Sequence, residues 1–149
     1  MSTPHPLTIL VVEDDLATRQ TVMDILELNG FRGIRACDGV EGLELARRER
    51  PAAVIVDLKL PRLSGYDLIQ ELRQDETLGS TPVVVITAHA DRYEGGRAQD
   101  LGADDLITKP FAEETLVLSL RRRLEEKHAP AARPAPARGV ARENSGSSP

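Results

Sequence analysis

The 149-residue sequence holds a single cysteine, Cys37, so it has no partner for an internal disulfide and cannot build a thiolate-cluster metal site. Long apolar runs are missing as well. The longest, Ile9–Val12, Ala52–Val56 and Val83–Ile86, fall far short of the ~18 residues needed to span a bilayer, which argues against membrane insertion. The first six residues, Met-Ser-Thr-Pro-His-Pro, contain neither a basic stretch nor an apolar one. No secretory signal is visible there, and a soluble cytoplasmic protein is expected. Positive charge is in deficit: 19 Lys and Arg stand against 24 Asp and Glu, a formal net charge of −5. Residues 128–149 hold three arginines and one glutamate, so the acidity lies wholly in the preceding residues. An acidic body argues against direct nucleic-acid binding, which needs clustered cations to displace phosphate counterions. No Ser-His-Asp order, GxGxxG or Walker A sequence occurs, and His5, His89 and His128 show no ligand spacing.

Hydrophobic residues make up 40% of the chain, ordinary for a globular protein. The Pro/Ala/Arg/Ser-rich stretch 128–149 offers little to bury against its ordering entropy and reads as a disordered tail. Residues 1–6 read as a short extension, which leaves 7–127 as one domain. Within it, short apolar runs alternate with helical patterns. Leu7–Val12, Gly33–Cys37, Ala53–Val56, Pro82–Ile86 and Asp105–Thr108 are the predicted strands. Three of them are aliphatic without polar alternation, as in parallel strands buried on both faces.

Helical spacing follows each strand: Val22, Ile25 and Leu26 with Asn29-Gly30 as a stop; Val40, Leu43 and Ala46 ending before Pro51; Leu68, Ile69 and Leu72 after Ser64-Gly65. The last helix has Leu116, Val117, Leu120 and Leu124, with Arg121-Arg122-Arg123 expected in its final turns. The fourth helix, around Tyr93–Ala98, carries Gly95 and Gly96 at about 1 kcal/mol each against Ala, and is expected to fray or move easily. The pattern predicts a (βα)5 doubly wound parallel sheet.

In such sheets ligands bind beyond the carboxyl ends of the strands. Strand one ends in Glu13-Asp14-Asp15, strand three in Asp57, strand four in Thr87 and strand five in Lys109-Pro110. Each has an ordinary explanation alone: an acid after a strand caps the next helix, and an exposed lysine is solvated. Together they place acids, a hydroxyl and an ammonium on one edge. Clustered carboxylates need a cation or a proton to persist, and an all-oxygen donor set favours a hard ion, Mg²⁺ above all. The combination suits phosphoryl transfer to Asp57, with Thr87 donating a hydrogen bond and Lys109 neutralising charge.

The stretches Ile9–Asp15, Val56–Pro61 with Gly65, Val85–Ala88, and Gly102–Asp105 through Lys109-Pro110-Phe111 make the chain resemble two-component response-regulator receiver domains of the CheY-like, flavodoxin-like type. The resemblance covers about residues 7–127. It implies strand order 2-1-3-4-5, with Asp57 as phosphoacceptor, Thr87 as switch hydroxyl and Lys109 as phosphate-pairing lysine. For Mg²⁺ it implies Asp14 as a direct ligand, Glu13 acting through water, Asp57 itself, and the main-chain carbonyl of Lys59. It also implies a cis Lys109-Pro110 bond. Lys59 and His89 fall over the phosphoryl group by the same resemblance and are expected to slow its hydrolysis.

At the output-switch position, three residues before the lysine, Leu106 replaces the usual Tyr or Phe, so the usual aromatic readout is in question. The partners implied are a histidine kinase or histidine phosphotransfer protein as donor, and a downstream protein. The latter would meet the face of the fourth helix, fifth strand and last helix (α4–β5–α5; near Tyr93–Ala98, Asp105–Thr108 and Leu116–Leu124). A stand-alone regulator that is not a turnover enzyme is expected. A phosphatase of the haloacid-dehalogenase type also uses an Asp nucleophile, but places an acid two residues later, where this chain has Lys59.

Overall fold

The computed structural model describes residues 5–88 and 92–127, without the side chains of 92–95. Ten elements alternate: β1 (Thr8–Val12), α1 (Leu16–Leu28), β2 (Arg32–Ala36), α2 (Gly39–Glu49), β3 (Ala53–Val56), α3 (Gly65–Gln74), β4 (Val83–Thr87), α4 (Arg92–Leu101), β5 (Asp105–Thr108) and α5 (Glu113–Lys127). The strands form one parallel sheet in the order β2-β1-β3-β4-β5, the expected doubly wound topology. The tail 128–149 and His89 lie outside the described residues.

Three strands are displaced by a residue from expectation, each for a local reason. Leu7 precedes β1 and gives its carbonyl to the Arg32 amide, at the start of β2. The Cys37 amide leaves the ladder to donate to the Glu41 carboxylate, so β2 runs Arg32–Ala36 rather than Gly33–Cys37. Pro82 has no N–H for the ladder, and β4 instead extends to Thr87, paired with Thr108.

Alternation along the central strands divides the core in two. Ile9, Val11, Ile55, Val84 and Ile86 meet Val22 and Leu26 of α1 and Leu116 and Leu120 of α5. Leu10, Val12, Val54, Val56, Val83 and Val85 meet Ala46 of α2, Leu68 and Leu72 of α3 and Ala98 of α4. All of these strand residues are fully buried. At roughly 1.5–3 kcal/mol for each large aliphatic side chain removed from water, these two layers supply the main driving force for the fold.

Helix ends follow capping chemistry. Asp15, Asp38 and Ser64 cap α1, α2 and α3, each side chain accepting an amide three residues on. Asn29 and Gly30 end α1 as expected, Gly30 at φ +86°, where a Cβ would be strained. The arginines of α5 are not in its final turn. The helix continues through Glu125-Glu126 to Lys127, whose ammonium reaches the Ser80 carbonyl and hydroxyl. The fourth helix forms across Gly95-Gly96 as a ten-residue segment.

Candidate phosphoacceptor site

Parallel pairing brings the strand ends to one edge. Val12 pairs with Val56 and Val56 with Val85, and the Asp57 amide donates to the Val12 carbonyl at 3.1 Å. On the far side the Lys109 amide donates to the Thr87 carbonyl at 2.9 Å. Glu13, Asp57, Thr87 and Lys109 therefore stand at the ends of four different strands along one edge of the sheet.

Lys109 joins this cluster. Its Nζ donates to Glu13 Oε1 at 2.6 Å and to Asp57 Oδ2 at 2.9 Å. Glu13 is fully buried and Asp57 nearly so, while the Lys109 side chain keeps 19% exposure. Burial pushes the Glu13 carboxyl above its ordinary value, and the bond to Lys109 offsets this only in part. Burial also works against the Lys109 ammonium, but its bonds to Asp57 and Glu13 outweigh it and hold that group above the usual lysine range.

Carboxylate oxygens of Glu13, Asp14 and Asp57 lie within 4.8 Å of one another. This is an oxygen-only donor set, with one buried acid raised by desolvation that a divalent cation would relieve, and it fits a hard ion. Lys59 is exposed, and its amide lies 3.4 Å from Asp57 Oδ1. Thr87 is fully buried. Leu106 packs into the α2–α4 layer, and Lys109-Pro110 is cis.

Of the acids after β1, Asp15 is the helix cap, accepting from the Thr18 amide and hydroxyl at 2.9 and 2.7 Å. Asp14 remains exposed beside the site. Arg19 carries no motif signal in the sequence. Its guanidinium donates to the Glu13 carbonyl at 2.9 Å and fixes the acidic turn from α1; a separation of six residues gives no pattern to search for. Gly65 is a second support, because a Cβ there would stand 2.2 Å from the Asp57 carbonyl oxygen. Cys37, Asp38 and Glu41 also cluster, but Asp38 caps α2 and pairs with Arg62 at 3.1 Å, while Glu41 takes the Cys37 amide and thiol. Beside Lys109 a groove of about 460 Å³ runs between Ala17, Thr18 and Thr21 of α1 and Pro110-Phe111.

Comparison with known proteins finds relatives over most of the chain. Response regulator MprA of Mycobacterium sp. (strain KMS) is 41% identical over 116 residues, 78% of this chain and 50% of that protein. The chain thus spans about half the length of the curated relatives it matches. A putative response regulator from Chloroflexus aurantiacus superposes with a TM-score of 0.77 at 31% identity, over 80% of this chain and 98% of that one. The receiver domain of a Pseudomonas aeruginosa sensor histidine kinase, with a magnesium ion coordinated in its active-site cleft, gives a TM-score of 0.76 at 29% identity, over 80% and 98%. The family model of the response regulator receiver domain matches residues 9–121, from β1 into α5, and the chain belongs to that family.

Proposed function

We propose that this chain accepts a phosphoryl group on Asp57 from a phosphohistidine of a histidine kinase or histidine phosphotransfer protein, and signals by phosphorylation-dependent protein contact. The observation that carries the reading is the bridge of Lys109 Nζ to both Glu13 and Asp57 within a three-carboxylate cluster. Attack of an Asp57 carboxylate oxygen on phosphorus forms an acyl phosphate and breaks the phosphorus–nitrogen bond of the donor, whose imidazole leaves. Lys109 then pairs with phosphoryl oxygens, and Thr87 donates a hydrogen bond to them. Glu13, Asp14, Asp57 and the Lys59 carbonyl would hold Mg²⁺, which when bound supplies charge neutralisation at those oxygens. The groove between α1 and Pro110-Phe111 offers the donor an apolar seat beside Lys109.

The chain acts on itself rather than turning over a separate substrate, and works in the cytoplasm, contacting neither nucleic acid nor membrane directly. The net charge of −5 supports the first exclusion. For the second, no helix among the described residues is long and apolar enough to cross a membrane. Output goes through the α4–β5–α5 face. Lys59 and His89 shield the phosphoryl group and prolong its life.

Asp57→Asn tests the reading. An amide is a poor nucleophile and a poor ligand for a hard ion, so uptake of phosphate from acetyl phosphate is expected to vanish. Uptake at the stoichiometry of the unaltered chain would place the acceptor elsewhere.

A further inference from the structure

Leu106 leaves β5 without an aromatic ring in the layer it shares with α2, α3 and α4. Among the described residues, the aromatic of that layer is Tyr66, the second residue of α3, only 4% exposed. The Arg97 guanidinium carbon lies 4.0 Å from the centroid of its ring, well inside the ~6 Å range of a cation–π contact. The two partners come from informative places. Tyr66 follows Gly65, where a Cβ would stand 2.2 Å from the Asp57 carbonyl oxygen, so the ring sits on the element packed closest to the phosphoacceptor turn. Arg97 belongs to α4, the helix that follows β4 and Thr87.

Among its described side chains, little else holds α4 down. Of its described side chains only Ala98 is buried and Leu101 half-buried, and Gly96 contributes no side chain at all. Glycine pairs lower helix stability, so a contact worth a few-fold in an equilibrium weighs heavily here. Thr87 itself continues the alternation of Val83 and Val85, which face the α2–α4 layer.

We infer that Arg97 and Tyr66 form a latch that holds α4 against α3, and that a phosphoryl group on Asp57 opens it. The second half rests on the phosphoacceptor reading above. Thr87, drawn toward phosphoryl oxygens, shifts the end of β4 and with it α4. Helix shifts of ~1–2 Å are common in such transitions, enough to carry the guanidinium from 4.0 Å toward the limit of attraction. Tyr66 and Arg97 thus do the work of an aromatic on β5, with the ring supplied from α3.

Hydrogen exchange of the α4 amides in the full chain tests this, with Mg²⁺ present and with or without beryllium fluoride as a phosphoryl mimic. Loading is expected to speed α4 exchange in the unaltered chain by about two- to fivefold, the range a cation–π contact of this kind supports. Arg97→Ala is expected to exchange that fast before loading, with little further gain. Arg97→Lys falls between, because an ammonium keeps the charge but not the planar stacking. Both variants keep phosphate uptake. An unloaded Arg97→Ala that exchanges at the original rate overturns the latch, and equal acceleration by loading in both proteins overturns its opening. If the unaltered chain takes up neither beryllium fluoride nor phosphate, the phosphoacceptor reading falls and the opening with it. The unloaded comparison still decides the latch.

Discussion

Asp57 has one oxygen held by Lys109 and its main chain pinned by Val12 and Gly65, so on the proposed reading the nucleophile is oriented before any donor arrives. What the structure leaves open to solvent beside it is Lys59, two residues on. Hydrolysis of an aspartyl phosphate needs water in line with the scissile bond, and the proposed function has Lys59 and His89 slow it. Neither side chain carries an acid or amide poised to orient the water. Loading Asp57 with phosphate, removing the donor and following decay measures the effect. Lys59→Asn/His89→Glu is expected to lose phosphate several-fold faster than the unaltered chain; equal rates would mean the two side chains do not shield.

Among the described elements, the carboxyl-terminal end of α3 is heavily tied. The Arg73 guanidinium donates to the carbonyls of Gly79, Thr81 and Gly102 and pairs with Asp104 at 2.9 Å, joining the loop before β4 to the loop before β5. With only 20% of its side chain exposed, Arg73→Ala is expected to cost about 2–3 kcal/mol, read as a lower unfolding midpoint. These loops lie at the opposite edge of the sheet from Asp57, so phosphate uptake by the folded variant persists.

Asp75, just beyond α3, accepts from the Thr77 hydroxyl and amide, both at 2.9 Å, which hold its carboxyl below the usual aspartate value. A group lowered on folding stabilises the native state fully above its unfolded value, about 3.9, and loses that contribution as pH falls through the lower folded one. Unfolding midpoints of the unaltered chain and Asp75→Asn are therefore expected to differ above about pH 4 and to converge in more acidic solution. A gap constant with pH would remove the charge from the account.

Such ties also mark the limit of what the sequence discloses. Periodicity revealed β3 and β5 to the residue and Ser64-Gly65 marked the start of α3, because burial and turn chemistry are local patterns. It put Arg121–Arg123 in the closing turns of α5, which run on to Lys127. Motif order disclosed Glu13, Asp57, Thr87 and Lys109. Arg19, Arg73 and the pairing of Tyr66 with Arg97 stayed hidden, because they depend on which loops and helices meet in space.

Across the whole molecule, the buried acids at one edge set a cost that a divalent cation would offset, which would link ion binding to global stability. Mg²⁺ at ten times its dissociation constant is expected to add about 1.4 kcal/mol, a rise of a few degrees in the unfolding midpoint. Asp14→Ala should blunt that rise, and a midpoint indifferent to Mg²⁺ in the unaltered chain would argue against the site. One last property belongs to the chain as a whole. It has no tryptophan and two tyrosines, one of them Tyr66 beneath the Arg97 guanidinium. Excited beyond the phenylalanine absorption band, its emission is therefore tyrosine emission alone, and in a Tyr93→Phe background that emission originates at the junction of α3 and α4. The molecule carries its own optical probe at that junction, and needs no dye.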